Sequence, residues 1–195
     1  EQVKALGAIP VDYTLSRSGM NPVADLKTLL QLKKLLQDIQ PDVVFSYFSK
    51  PVIYGTLAAV LAKVPRRIAM LEGLGFVFTE QPTGLSFKTK LIRRIQVMLY
   101  RVAFRFADRV IFLNPDDPVD LIERYKIKTR NVSVLGGIGL NLDDYPYSPA
   151  PSRPVRFIFI GRLLAEKGVN EYIAAAQLVK QRYPESEFVM LGGLD

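Results

Sequence analysis

The chain has 195 residues, 49% of them hydrophobic and 23% charged, enough to bury a substantial core in one domain or a little more, and too apolar for wholesale disorder. It contains neither cysteine nor histidine, which excludes disulfides, thiolate nucleophiles, Ser-His-Asp triads and zinc held by Cys or His within it, and fits a reducing compartment. The net charge of +7 is concentrated, because residues 87–109 carry seven basic residues against one acidic, net +6.

Residues 11–15 read as a strand, followed by the turn-forming loop Ser16-Arg17-Ser18-Gly19-Met20-Asn21-Pro22. Leucines at mainly 3–4 spacing predict a helix over 23–39, which Pro41-Asp42 ends. A buried strand over 43–48 follows, then a helix over 51–63 with Pro51 in its first turn. A strand over 67–71 ends in the loop Glu72-Gly73-Leu74-Gly75. A long helix over 87–107, a strand over 109–113, a short helix to about residue 125 with Asn114, Asp116 and Asp117 as caps, and a strand over 132–135 come next. The stretch 145–154 holds four prolines without periodicity and is the expected domain boundary, with a first domain over 1–145, a linker over 146–154 and a second domain from 155. The tail predicts strand 155–160, helix 168–183 and strand 187–191. Such alternation implies α/β architecture, a parallel sheet with helices on both faces.

Ligands of open parallel sheets gather at the carboxyl ends of the strands. The strand ending at Gly161 delivers Arg162 and, five residues on, Lys167 and Gly168 at the start of a helix. Backbone close to a ligand, oriented N–H groups and two cations suit a phosphate-bearing molecule; the alternative is solvated loop charge. Gly192 and Gly193 end the next strand, either to admit a nucleotide or as a plain turn. Glu72, between strand and glycine loop, suits an acceptor hydroxyl, or else stabilises its own loop. Lys50 suits an acceptor phosphate, or is an exposed lysine before Pro51. Arg17 and Asn21 follow the first strand in the same way, or stabilise a turn. On the long basic helix, Lys90, Arg94, Arg101 and Arg105 form one stripe with Met98 beside it. That stripe reads either as a solvated face or as a contact with an anionic membrane surface, each cation adding about 1 kcal/mol near the bilayer. Nucleic acid is an unfavoured partner, since no recognition motif accompanies the charge.

In order and spacing, LSRSGMNPVADLKTLLQL, PDVVFSYFSKPVIYGTLAA, EGLGFVFTE, FLNPDD, VLGGIGLNLDDYP and GRLLAEKG resemble the bacterial family-four glycosyltransferases of surface-polysaccharide synthesis. The resemblance implies a GT-B architecture, with an acceptor-side Rossmann-like domain and the first β-α-β unit of a donor domain. It implies a nucleotide-diphosphate-sugar donor, a lipid-linked saccharide acceptor, transfer with retention, no metal or other cofactor, and a peripheral position on the inner face of the cytoplasmic membrane. By position, Gly161, Arg162, Lys167, Gly192 and Gly193 become donor-binding, with Arg162 and Lys167 catalytic. Arg17, Asn21, Lys50, Glu72, Gly73 and Gly75 become acceptor-side. Gly137, Gly139 and Asn141 fall in the interdomain loop, where Asn141 stands in GLNL in place of the usual Asp and so loses a charge. The resemblance further implies a chain truncated at both ends, lacking the E-x7-E carboxylates of the donor domain and inactive by itself. A sugar-nucleotide epimerase and a non-catalytic binder of membranes or other polyanions are the competing readings.

Overall fold

The computed structural model describes residues 2–16, 19, 21–79, 84–150 and 152–193. Two compact units divide at Gly139 and Leu140. The first runs α1 (Gln2–Ala5), α2 (Pro22–Ile39), β1 (Val43–Tyr47), α3 (Ser49–Leu61), β2 (Arg66–Leu71), a 3-10 turn (Phe76–Phe78), α4 (Phe87–Phe106), β3 (Arg109–Phe112), α5 (Asp116–Pro118) continuing as a π turn (Val119–Glu123), and β4 (Val132–Val134). Its strands are parallel in the order β1-β2-β3-β4. In the second unit β5 (Arg156–Ile160) and β6 (Glu187–Leu191) pair in parallel across α6 (Val169–Arg182). The proline-rich stretch belongs to this unit.

The first unit's core lies on one face of its sheet. Ser46, Ala69, Leu71, Val110 and Phe112 alternate inward along their strands and are buried. Against them pack Val52 and Ile53 of α3 and Val97, Tyr100, Ala103 and Phe104 of α4. The rings of Tyr100 and Phe104 stack at 5.1 Å, one helical turn apart. Close approach of α3 to β1 uses Gly55, where a Cβ would stand 2.6 Å from Ser46 Oγ. Phe45 and Tyr47 point to the opposite face and remain about half exposed, and α2 packs on α3. Among the described residues, then, the helices α3 and α4 share one face of the sheet, where the alternation predicts cover on both.

The amino ends of the strands are tied by one polar node. Asp108 accepts from the backbone N–H of Arg67 at 2.9 Å and pairs with the guanidinium groups of Arg67 at 3.6 Å and Arg130 at 2.7 Å. Arg67 also donates to the carbonyls of Phe106 and Val64, both at 2.8 Å, and Asn131 Nδ2 donates to the Asp108 carbonyl at 3.0 Å. The end of α4 and the starts of β2, β3 and β4 therefore meet on one carboxylate.

Most predicted elements recur within a residue or two. The exception is the strand over 11–15, which forms no ladder. Its backbone is held on α2 by side chains: Thr28 Oγ1 donates to the Thr14 carbonyl at 2.7 Å, and the Thr14 N–H donates to Gln31 Oε1 at 3.0 Å. Alternation at Val11, Tyr13 and Leu15 satisfied the strand pattern, but both backbone groups of Thr14 went to side-chain partners instead.

In the second unit, the Tyr172 hydroxyl of α6 lies 3.0 Å from the carbonyls of both Phe157 and Val189 and shares its one proton between them, tying the helix to both strands. Phe157 and Phe188 stack across the pair at 4.8 Å, and Arg156 pairs with Glu187 at 2.6 Å. No helix among the described residues is long and apolar enough to cross a membrane.

Phe104 is fully buried between helices and sheet. Phe104→Ala is expected to lower the unfolding free energy by about 3–5 kcal/mol, read as a shifted urea midpoint at unchanged slope.

Candidate functional site

In the second unit the loop after β5 and the loop after β6 lie against each other. The Gly161 N–H donates to the Leu191 carbonyl at 3.0 Å, and the Leu163 N–H donates to the Gly193 carbonyl at 3.1 Å. A Cβ on Gly192 would stand 1.8 Å from the Gly161 carbonyl oxygen, so only glycine fits there. Gly193, by contrast, faces open space. From this paired edge the chain continues through exposed Arg162 to a 3-10 turn, Ala165–Lys167, and to Gly168. Gly168 has φ +85°, a left-handed conformation suited to glycine, and caps α6. Arg162 and Lys167 are thus both brought to the carboxyl edge of β5, next to the amino end of α6. Lys167 is exposed. A cation pair on a rigid glycine edge can hold an anionic leaving group.

In the first unit the carboxyl ends of β1 and β2 carry Lys50 and Glu72. Lys50 is neither free nor fully exposed: its ammonium bonds Asp25 Oδ1 at 2.9 Å, with the lysine side chain 19% and the aspartate side chain 8% exposed. That corrects the alternative of an exposed lysine. Asp25 belongs to the first turn of α2, and Tyr54, one turn beyond Lys50, is close enough to feel its charge. Burial first, and then the Asp25 carboxylate, push the Tyr54 phenol up to about 12, so it stays a donor at neutral pH. Glu72 is half-buried, and its side chain makes no hydrogen bond or ion pair among the described residues. Gly73 and Gly75 are exposed beside it, Gly75 with φ +79°.

Asn21 caps α2, accepting from the Ala24 N–H at 3.1 Å. Arg17 lies outside the described residues. Gly137 and Gly139 face open space. Asn141 caps the 3-10 turn Leu142–Asp144, accepting from the Asp143 N–H at 3.2 Å. The cap needs only an oxygen, so the amide keeps it while the charge is lost. Asn114 Oδ1 caps the segment after β3, accepting from the N–H groups of Asp116 and Asp117 at 3.0 and 2.9 Å. The two aspartates therefore stand inside the turn rather than at its cap. Burial raises the Asp117 carboxyl above the usual carboxylate range.

On α4, Lys90, Arg94, Arg101 and Arg105 are all exposed. Phe87, Leu91, Met98 and Val102 are exposed beside them, at 84%, 47%, 55% and 44%, so the cationic stripe borders an apolar one. Arg101 also donates to the Tyr125 carbonyl at 2.7 Å. Arg93 turns inward, bonding the Val77 carbonyl at 2.6 Å and lying 6.0 Å over the Phe78 ring, and so anchors the segment after Gly75. Charge counting places Arg93 with the other cations. The signal that separates it is angular, since at about 100° per residue it falls about 90° from the centre of the stripe, in line with the buried Tyr100 and Phe104. Among the described residues no group of three or more Asp or Glu could hold a metal ion.

Residues 4–114 match the model of the glycosyl transferase 4-like family, and the chain belongs to that family. Its α/β fold is of the GT-B type. The chain is 30% identical, over 208 aligned positions, to N,N'-diacetylbacillosaminyl-diphospho-undecaprenol alpha-1,3-N-acetylgalactosaminyltransferase of Campylobacter jejuni, covering 100% of this chain and 53% of that protein. It is 28% identical over 191 positions to UDP-Gal:alpha-D-GlcNAc-diphosphoundecaprenol alpha-1,3-galactosyltransferase of Escherichia coli, covering 92% and 47%. The chain spans about half the length of these curated relatives. Among solved structures, Anabaena HepE in complex with UDP and glucose superposes at a TM-score of 0.69 with 17% identity, covering 100% of this chain and 50% of that one. The S. aureus MnaA–UDP structure superposes at 0.52 with 16% identity, covering 96% and 50%.

Gly192→Ala is expected to displace the Gly161 loop, shifting the amide resonances of Gly161 to Leu163 and destabilising the unit by about 1–3 kcal/mol. Gly193→Ala is expected to stay within about 0.5 kcal/mol of the parent.

Proposed function

We propose that this chain carries the acceptor side and the first donor-binding elements of a glycosyltransferase. The enzyme moves a sugar from a nucleotide-diphosphate donor to a saccharide on a lipid diphosphate. The observation that carries the reading is the likeness, along the whole chain, to the Campylobacter transferase, whose name states both a diphospho-undecaprenol acceptor and sugar transfer. The second relative, named for a UDP-Gal donor and a diphosphoundecaprenol acceptor, supports the same pair of substrates.

On this reading Arg162 and Lys167 bind the donor diphosphate. As the glycosidic bond breaks, negative charge accumulates on the departing nucleoside diphosphate, and cations already in position stabilise it without reorganisation. The paired Gly161 and Gly192 backbone gives the nucleotide a surface free of side chains. Two cations can do this work with no metal. The configuration of the anomeric carbon is retained, and Glu72 takes a hydroxyl of the acceptor saccharide. The enzyme works peripherally on the inner face of the cytoplasmic membrane, with the Lys90, Arg94 and Arg105 stripe meeting anionic headgroups and Phe87, Leu91 and Met98 entering the interface.

In the intact enzyme, Arg162→Ala and Lys167→Ala are each expected to reduce transfer from the nucleotide sugar by well over tenfold, the scale of a lost charge-assisted phosphate contact. Near-unchanged transfer by both variants would falsify the donor-site reading. Product analysis with labelled donor, with and without acceptor, separates transfer from epimerisation.

Co-sedimentation with vesicles containing anionic lipid tests the membrane contact. Neutralising Lys90, Arg94 and Arg105 together is expected to cut binding at least about tenfold, given about 1 kcal/mol per cation near the surface. Unchanged binding removes α4 from the interface.

A further inference from the structure

The buried Asp25 pairs with the half-buried Lys50 at a cost that helix stability does not explain. Lys50 stands in the first turn of α3, where a cation opposes the helix dipole. Asp25 is a carboxylate with little exposure, and a buried ion pair adds little net stability compared with apolar residues of similar volume. The residue that leads into α3, Phe48, has φ +65°, a costly conformation for a bulky side chain, of a kind that gathers at functional sites. Here a lysine is held still at the carboxyl end of a parallel strand.

The charges indicate what it is held for. Lys50 and Asp25 cancel. Both are in the first turns of their helices, and each helix amino end contributes about half a positive charge. A surplus of about one positive charge remains at this corner. One N–H of the ammonium is spent on Asp25, which leaves two for a further acceptor, and about a fifth of the side chain is exposed.

We propose that Asp25 is a positioning residue that fixes the Lys50 ammonium to receive a phosphate oxygen of the acceptor's diphosphate. The proposal rests on the transferase reading above. Without the carboxylate the four-carbon stem is free to swing, and the contact loses its preorganisation.

Two measurements test it. The first is kinetic, on the intact enzyme, with a polyprenyl-diphosphate-linked saccharide and with the same saccharide as a neutral alkyl glycoside. Asp25→Asn is expected to raise KM for the diphosphate-bearing acceptor about tenfold, the scale of one charge-assisted hydrogen bond, leaving the donor KM and the alkyl-glycoside KM within about twofold. Asp25→Glu recovers part of the loss. The double variant Asp25→Leu/Lys50→Met, which removes both charges and keeps the core filled, is expected to melt close to the parent and still show the raised KM. A folded double variant with parental KM for the diphosphate acceptor overturns the proposal, as does an equal rise in all three KM values.

The second measurement needs no transfer activity. Amine labelling of Lys50 in the parent is expected to slow several-fold when inorganic pyrophosphate is added, and Asp25→Asn to abolish that protection. Protection in an intact protein that transfers no sugar would retain the anion site and sink the transferase reading alone. Labelling indifferent to pyrophosphate overturns the site.

Discussion

The fold of the first unit hangs on Asp108. One carboxylate gathers a backbone N–H and two guanidinium groups, and its principal partner Arg67 also takes up the carbonyl of Phe106 at the end of α4. Hydrogen bonds to a charged acceptor are worth more than neutral ones, and here they are shared among segments distant in sequence. Asp108 is the only acidic residue in the basic segment, so the cation-rich helix is fastened by its lone counter-charge. The node sits where the strands begin. In the first unit, the loops with the candidate residues Lys50 and Glu72 lie at the opposite end.

That division explains the placing of the candidate residues. Lys50, Glu72, Arg162 and Lys167 all follow strand ends, and none is needed to hold a strand in register. The two units solve the same problem by different means. The first buries aromatic and aliphatic side chains under α3 and α4. The second, with no buried residue on α6, relies on a tyrosine bonded to both of its strands.

Much of this was legible in the residues. Leucine spacing, proline positions and glycine-terminated apolar runs located almost every element, because those signals are local and act within a few residues. Local signals also misled: residues 11–15 alternate like a strand, yet Thr28 and Gln31 capture the backbone of Thr14. The site was readable only in part. Arg162 and Lys167 announce themselves by their distance from Gly161, but Asp25 reads as an ordinary acid in a first helical turn. Its partner lies 25 residues away, beyond any periodicity. Arg93 was hidden among like charges, although its direction on the helix sets it apart. Pairings across the fold depend on tertiary geometry, which spacing along a chain does not encode.

The contact between Gly192 and the Gly161 carbonyl has a consequence for how such proteins can diversify. Two loops from different strands share one backbone surface with no room for a methyl group, so neither can change shape alone. A loop transplanted from a relative must bring its neighbour with it. The backbone of this edge is therefore inherited as a matched pair, and variation is left to the side chains that follow.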